Sequence, residues 1–180
     1  MSQTHEHPPV LLLLAAFSRH PHALQWAQDQ AARHWGPVAL ASPVFCFDQT
    51  DYYARSMGSD LKKILLVFQR LISPTSLVEL KHQAIRWEFE YRRACSCPEP
   101  RPLNLDPGYL TQAKLVLATT KDRDHRLYLD RGIFAEVTLG YQRGCGWVAR
   151  PWTYPDYQSP DYHAFLIRCR DYLRRRIHDP

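Results

Sequence analysis

Apolar and polar residues follow a regular pattern along the first half of the chain, and this pattern predicts alternating strands and helices. Residues 10–17 are apolar at every position, which is typical of a central strand buried on both faces. From Pro21 the apolar residues recur at the helical period, until Gly36-Pro37 ends the segment. These positions are Leu24, Ala27, Ala31 and Trp35. We therefore predict a strand followed by a helix.

The next segments extend this alternation. Residues 38–47 and 62–71 are predicted to be the second and third strands. Ser73-Pro74 supplies an N-cap followed by proline at the first helical position, so it begins a helix that continues to about residue 93. Residues 103–105 are a short strand candidate. The order βαββαβ predicts an α+β fold with a ferredoxin-like core, in which the helices lie on one face of an antiparallel sheet.

Three further elements are predicted after this core. Asp106-Pro107 repeats the capping pattern and predicts an added helix to about Thr119. A β-hairpin is predicted over residues 126–141, and Ser159-Pro160 begins a C-terminal helix. The apolar stripe of that helix consists of Tyr162, Phe165, Leu166, Cys169, Leu173 and Ile177, and its other face carries Arg168, Arg174 and Arg175.

The hairpin has a preferred register, set by a three-residue loop, Asp130-Arg131-Gly132, with Gly132 in the left-handed position. The opposed pairs are then Leu129 and Ile133, Tyr128 and Phe134, Leu127 and Ala135, and Arg126 and Glu136. One face is apolar (Leu127, Leu129, Ile133, Ala135 and Val137), whereas a two-residue loop would mix the faces. The polar face presents Arg126, Tyr128, Glu136 and Thr138. It is either part of a site or a cross-strand ion pair on a solvated face, worth roughly 0.2–1 kcal/mol.

Length and composition favour a single domain over residues 1–180, with the first nine residues as a disordered tail. A chain of 180 residues, 45% of them hydrophobic, is large enough to form a core without disulfides or metals. The net charge is +5, but residues 61–180 carry 20 basic and 13 acidic side chains, an excess of +7. This excess favours an anionic partner, and the alternative is an ordinary solvated positive surface.

Cysteine usage and the apolar segments indicate a reducing, cytoplasmic location. The five cysteines are odd in number and irregularly spaced, which argues against a disulfide framework. Cys95 and Cys97 lack the two-residue spacing of a zinc knuckle, and no second pair accompanies them, so we expect no metal site. Residues 10–17 are too few to span a bilayer. The first nine residues contain no Lys or Arg, so we expect no signal peptide.

The densest group of candidate functional residues lies between residues 104 and 141. Lys114 and Lys121 are seven residues apart, so they would share one side of the added helix, and His125 and Arg126 follow them. Such cations can neutralise phosphate or carboxylate oxygens, and the histidine can transfer a proton near neutral pH. The alternative is that they are ordinary surface residues.

Two loops mix carboxylates with tyrosines in a similar way. Residues 47–53 follow the second predicted strand and include Asp48, and residues 153–157 precede the last helix and include Tyr154 and Asp156. Carboxylates in such loops can bind Mg²⁺ or act as acid or base groups. The alternative is that the side chains brace each loop through hydrogen bonds.

Several segments together resemble a bacterial family catalogued as domain of unknown function 4416. The resemblance rests on FDQTDYYARSMG from Phe47, NLDPGYLTQAKLVLATTK from Asn104, and the later HRLYL, GIFAEVTL and TYPDY. It covers nearly the whole chain from Val10. The matched positions include Asp48, Thr50, Tyr52, Tyr53, Asn104, Asp106, Gly108, Tyr109, Lys114, Lys121, His125, Arg126, Glu136, Thr153, Tyr154 and Asp156. Residues 93–102 depart from the glycine-bearing turn that the family implies, so a redox or metal role for Cys95 and Cys97 would be peculiar to this chain.

The family has no established activity, and the nucleotide-binding label of some members is not accompanied here by a P-loop, a GxGxxG fingerprint, HExxH or GxSxG. We expect an enzyme or a ligand-binding domain for a phosphate- or carboxylate-bearing small molecule, which includes nucleotides. The expected catalytic residues are His125, Glu136 and Asp106. The expected ligand-binding residues are Lys114, Lys121, Arg126, Tyr128, Asn104, Asp48, Tyr154 and Asp156. At least three of Asp48, Asp106, His125, Glu136 and Asp156 should line one cleft.

The alternative from a different class is a non-enzymatic RNA- or protein-binding module that uses the basic later two-thirds of the chain. Neither an RNP-type strand motif nor a helix-turn-helix accompanies that charge. The sequence predicts no membrane partner, and it specifies neither a cofactor nor an oligomeric state.

Overall fold

Helices and strands are mixed along the chain. The computed structural model describes residues 3–48 and 51–178, without the side chains at 51 and 178. The helices are α1 (Pro21–Trp35), α2 (Ala54–Met57), α3 (Leu77–Ala94) and α4 (Pro160–His178). The strands are β1 (Val10–Ser18), β2 (Val38–Ala41), β3 (Phe45–Cys46), β4 (Lys62–Ile72), β5 (Asn104–Leu110), β6 (Lys114–Thr119), β7 (Leu127–Asp130), β8 (Ile133–Gln142) and β9 (Gly146–Ala149). Short 3₁₀ turns at Asp51–Tyr53, Pro74–Ser76 and Pro155–Gln158 precede α2, α3 and α4. The chain is therefore an α+β protein, as predicted.

The strands of the described residues form one antiparallel sheet with the order β2-β4-β1-β5-β6-β8-β7, in which β3 also pairs with β4 and β9 with β8. Strand β1 lies between β4 and β5, and every residue in it is buried. The prediction of a central strand at residues 10–17 is confirmed. Its uniform hydrophobicity follows from this position, because neither face of the strand meets water.

Helices cover both faces of the sheet. Helices α1 and α3 pack against Leu12, Leu14 and Ala16 of β1, whose side chains point to one face. Helix α4 packs against the opposite face, which presents Leu11 and Leu13. The expectation of helices on one face therefore holds for α1 and α3, and α4 adds a third layer.

The segment 106–119 forms two strands, so the predicted helix is wrong. Strands β5 and β6 pair as a hairpin in which Gly108 opposes Leu117 and Leu110 opposes Leu115. Pro107 opposes a residue of β1 just before the β5–β6 pairing begins, so its missing N–H need not interrupt that ladder. Pairing on both sides of this segment outweighs the local capping signal of Asp106-Pro107.

The strand predicted over residues 38–47 is interrupted after Ala41. Ser42 replaces the regular ladder with two bonds to β4: its N–H donates to the Leu65 carbonyl at 2.9 Å, and its Oγ accepts from the Leu65 N–H at 2.9 Å. Pro43, which has no N–H to donate, follows directly. The third strand and the Ser73 cap are confirmed, since β4 spans Lys62–Ile72 and Ser73 Oγ accepts from the N–H of Thr75.

The β7–β8 hairpin closes with a two-residue turn, so the predicted three-residue loop is wrong. Arg131 and Gly132 have φ angles of 48° and 76°, and Asp130 opposes Ile133. Positive φ at both central residues is typical of the type I′ turn of tight hairpins. An irregularity at Leu129 then restores the predicted register, in which Tyr128 opposes Phe134 and Leu127 opposes Ala135.

The predicted separation of this hairpin into an apolar and a polar face is observed only on β8. Ile133, Ala135 and Val137 pack together as expected. Strand β7 is an exposed edge instead, and Leu127 on it is 72% exposed, because none of the described elements covers that end of the sheet.

Helix α4 begins at Pro160 as predicted. Its predicted stripe is buried except for Ile177, and Arg168, Arg174 and Arg175 are exposed. Within the predicted 47–53 loop, Gln49 and Thr50 lie outside the described residues.

Candidate functional site

A cavity of about 100 Å³ opens at one end of the sheet, where β1 ends and β4 and β5 begin. Phe17 at the end of β1 opposes Lys63 of β4 on one side and Asn104 of β5 on the other. Because neighbouring strands run antiparallel, the end of β6 reaches the same edge, and Thr119 lines the cavity there. Asp156, from the turn before α4, contributes to the wall.

Charged side chains dominate the lining, and cations outnumber carboxylates. The cations are Lys63, Lys81, Arg101, Lys121 and Arg126, and the carboxylates are Asp106, Glu136 and Asp156. Polar groups come from Tyr53, Asn104, Thr119, Thr120, Tyr154 and Tyr157, and apolar surface from Phe17, Phe47, Leu117 and Ala118. The cavity therefore keeps a formal excess of two positive charges.

Asp106 is held by Lys81 and Asn104. Lys81 Nζ donates to Asp106 Oδ1 at 2.7 Å and to the Leu105 carbonyl at 2.9 Å, and Asn104 Nδ2 donates to Asp106 Oδ2 at 2.7 Å. Burial alone would raise the pKa of Asp106, but the charge and hydrogen bond of Lys81, together with the charges of Arg101 and Lys63, outweigh it, and the pKa lies below its ordinary value. Asp106 is therefore a fixed anion with both oxygens engaged.

Asp156 and Lys63 form a second buried pair. Lys63 Nζ lies 2.6 Å from Asp156 Oδ2, and the side chains are only 5% and 3% exposed. The same ammonium lies 4.3 Å from the ring centre of Tyr157 and 4.8 Å from that of Phe47, which adds cation–π attraction. The other carboxylate oxygen, Oδ1, is buried and forms no hydrogen bond with any described residue.

Tyrosines surround Asp156. Burial, and then the negative charge of Asp156, raises the pKa of Tyr157 and of Tyr162 well above the ordinary value, so both phenols stay protonated. Burial likewise raises the pKa of Tyr53, with the Asp106 charge adding to the effect. Protonated phenols beside a carboxyl group can donate hydrogen bonds but cannot serve as bases.

Glu136 anchors the third pair. Arg126 donates to Glu136 Oε2 through Nε at 2.8 Å and approaches the same oxygen through a second nitrogen at 2.8 Å, with both side chains under 10% exposed. His125 Nε2 lies 3.2 Å from this oxygen, and its ring stacks on Trp152 at 5.1 Å. Thr138 donates to Oε1 at 3.4 Å. Glu136 therefore holds Arg126 and His125 in place.

The two remaining cations have different partners. Arg101 donates to Glu88 at 3.1 Å. Lys121 donates to the hydroxyl of Tyr52 at 2.7 Å and lies 4.2 Å from its ring centre, and it forms no ion pair among the described residues. The hydrogen bond from Lys121, and then its charge, lowers the pKa of Tyr52. Lys121 is the cavity cation whose charge is least compensated.

The fold brings together most of the predicted site residues. Those that line the cavity are Asn104, Asp106, Lys121, Arg126, Glu136, Tyr154 and Asp156, so three of the five acid and histidine candidates share one cleft. His125 lies behind Glu136. Tyr128 is 61% exposed on the edge strand, and Asp48 is exposed. Lys114 begins β6 whereas Lys121 follows its end, so the two lysines do not share a helix side.

The structure adds cavity residues that the sequence did not single out, chiefly Lys63, Lys81 and Arg101. A signal for Lys81 was present, since it lies four residues after Leu77 and three before Ala84, on the buried stripe of α3. A lysine on an apolar stripe indicates a buried charge with a partner. Lys63 is likewise buried, directly before the apolar run of β4.

The chain belongs to the family described as Domain of unknown function (DUF4416), whose sequence model matches residues 8–172. No curated protein and no solved structure matches this chain. None of the helices within the described residues is long and apolar enough to cross a membrane.

Proposed function

We propose that the protein is an enzyme or ligand-binding domain that takes a phosphate- or carboxylate-bearing small molecule in this cavity. The supporting observation is the excess of cations over carboxylates along one recessed wall. Three cations are paired with the three carboxylates, and Lys121 has no carboxylate partner among the described residues. An anion placed there would meet fixed positive charge that is partly shielded from water, where hydrogen bonds to charged groups are strong.

The size of the cavity limits what enters it. At about 100 Å³ it is smaller than the roughly 300–1,000 Å³ of pockets that enclose drug-sized ligands. A phosphate or carboxylate group fits this space. A nucleotide would therefore place a phosphate inside and leave its base outside.

The geometry suggests roles for the lining residues. Lys121 and Arg126 would hold the anion, and Asn104 and Tyr154 would contact its polar groups. In an enzyme, Asp156 would be the candidate proton acceptor, because its Oδ1 lacks a hydrogen-bond partner of good geometry among the described residues, while both oxygens of Asp106 and Glu136 are engaged. His125 would act through Glu136, as a positioning residue.

Thermal stabilisation by anions tests this proposal. Binding of a ligand at ten times its Kd should stabilise the fold by about 1.4 kcal/mol, which corresponds to about 3–5 °C for a domain of this size. We would measure the Tm with inorganic phosphate, acetate, citrate and AMP, each at constant ionic strength against sodium chloride. We expect at least phosphate to raise the Tm.

Two lysines make a matched pair for the control. Lys121→Gln should remove most of the stabilisation, because Lys121 lines the cavity, whereas Lys114→Gln should keep it, because Lys114 lies at the other end of β6. No Tm shift with any of these anions, or equal responses of the two variants, would refute the cavity as the anion site.

An RNA-binding function is the second candidate, and the outer face of α4 favours it. Arg168, Arg174, Arg175 and Arg176 are all exposed there. If the protein binds RNA, its affinity for RNA should fall steeply with salt concentration and should be lost in an Arg174→Gln/Arg175→Gln variant. The cavity variants would leave that affinity unchanged.

We further propose that β1, α1, β2, β4, α3 and β5 form a ferredoxin-like core. The strand order β2-β4-β1-β5, with every neighbour antiparallel, supports this assignment. A reducing, cytoplasmic location is also a proposal, and it is supported by the five cysteines being free thiols in the structure.

A further inference from the structure

A second cluster of chemically reactive side chains lies outside the cavity, between the start of α1 and the connection that follows α3. His20, His22 and Cys97 each present one metal-ligating atom, and these atoms lie within 4.8 Å of one another. His20 directly precedes α1, His22 lies in its first turn, and Cys97 lies three residues beyond the end of α3. The fold thus brings a His-x-His segment against a Cys-x-Cys segment.

The environment of His20 matches that of a metal ligand. His20 Nε2 lies 2.8 Å from Glu99 Oε2, and Arg19 holds the other oxygen of Glu99 at 3.0 Å. Metal-bound histidines commonly donate their second ring N–H to a carboxylate, which fixes the orientation of the ring. The contact with Glu99 leaves Nδ1 of His20 available to a metal.

Cys95 supplies a possible fourth donor. It caps the end of α3 two residues before Cys97, and both thiols are free and half-buried. His22 is exposed, so an ion can enter from solvent. Two imidazole nitrogens and two thiolates form a donor set that favours a tetrahedral zinc ion.

We propose that His20, His22 and Cys97 bind a Zn²⁺ ion, with Cys95 as the fourth ligand. Zinc–ligand distances of about 2.0–2.3 Å place tetrahedral donors about 3.3–3.8 Å apart, so shifts of about 1 Å would bring the donor atoms of His20, His22 and Cys97 into place, and Cys95 would join them by a change of side-chain rotamer. The ion would join the start of α1 to the α3–β5 connection. Spacing in the sequence does not reveal this site, because its two halves meet only through the fold.

Metal titration of the reduced, metal-free full-length chain tests the proposal. We expect one Zn²⁺ per chain in competition with a chromophoric chelator, and Co²⁺ should give the thiolate-to-cobalt charge-transfer absorption of cysteine ligation. The Cys95→Ser/Cys97→Ser variant removes both thiols, and it should lose that absorption and bind Zn²⁺ at least about a hundredfold more weakly. His22→Gln should weaken binding at least about tenfold. Because His22 is exposed, this variant should fold normally, which far-UV circular dichroism would verify.

Matched controls separate this site from adventitious binding. Cys145→Ser removes an exposed thiol elsewhere, and His34→Gln removes an exposed histidine at the far end of α1; neither should change the affinity. His5→Gln/His7→Gln tests the histidines near the N-terminus and should also have no effect. Equal Zn²⁺ affinity of the native chain and the double cysteine variant, absence of the charge-transfer absorption, or loss of binding in His5→Gln/His7→Gln would overturn the proposal.

Discussion

The buried pair Arg126–Glu136 makes the sharpest prediction about stability. Glu136→Gln keeps the shape of the side chain and removes its charge, while Arg126 stays 7% exposed with the Lys121 carbonyl as its other hydrogen-bond acceptor. A buried pair that loses one partner typically costs about 3–5 kcal/mol, because the remaining charge is left uncompensated. The retained Gln oxygen can still accept one hydrogen bond from Arg126. We therefore expect a loss of about 3 kcal/mol in the free energy of unfolding.

Urea denaturation at neutral pH measures this loss. The matched control is Glu79→Gln, since Glu79 also pairs with two cations, Arg86 and Arg131, but all three side chains are more than half exposed. It should leave the urea midpoint unchanged within error. An Arg126→Met/Glu136→Gln variant should be less destabilised than the sum of the single changes, with a coupling of about 1–3 kcal/mol.

A solvated pair would behave differently. If Glu136→Gln shifts the midpoint no more than Glu79→Gln does, the Arg126–Glu136 pair is not buried in solution, and the wall of the cavity is arranged differently from the structure. The same variant would be assayed for phosphate stabilisation at a temperature where it is fully folded. Loss of that response with the fold intact would link the pair to the ligand.

Two further predictions concern the corrected elements and the pH dependence. Gly108→Ala should destabilise the fold by about 1–3 kcal/mol, because a Cβ there would clash with the backbone carbonyl oxygen of Val116. In a helix the same change would stabilise, so a raised Tm would contradict the β5–β6 hairpin. The pKa of Asp106 is lower in the folded chain than in the unfolded chain. Its contribution to stability is therefore complete when the pH lies above the unfolded-state pKa of about 4, and it is lost as the pH falls through the folded-state pKa. In Asp106→Asn the urea midpoint should therefore decrease less with falling pH below about pH 4 than in the native chain. An equal pH dependence of the two midpoints would contradict the Lys81 contact.

Strong local patterns predicted the first half of the fold. The uniformly apolar β1, the helical period of α1 and the Ser73 cap each agree with the tertiary environment that the residues meet. Asp106-Pro107 led to the wrong prediction of a helix. The same Asp-Pro pattern that can begin a helix is compatible with an extended strand when that strand pairs on both sides. The sequence alone does not show which partners a segment will have.

The candidate site was predictable only where a polar residue belonged to a dense local cluster. Asn104, Asp106, Arg126 and Glu136 were found in this way. Lys63 lies outside any such cluster, and its partner Asp156 lies far along the chain, so the pair depends on the packing of α4 against the sheet. Lys114 was chosen because a helix would place it beside Lys121, and the choice failed together with the helix.

Three ion pairs with buried cations lie in one wall, and stability alone explains them poorly. Moving two charges out of water costs several kcal/mol per ion, and apolar side chains of equal volume often stabilise a fold as well or better. Lys63, Lys81 and Arg126 are each under 10% exposed and each is paired, so the chain carries these desolvation costs three times around a single cavity. Fixed charges of this kind are useful where a ligand must meet cations already held in position. The concentration of the pairs at one end of the sheet therefore favours a binding or catalytic role for the cavity over a purely structural one.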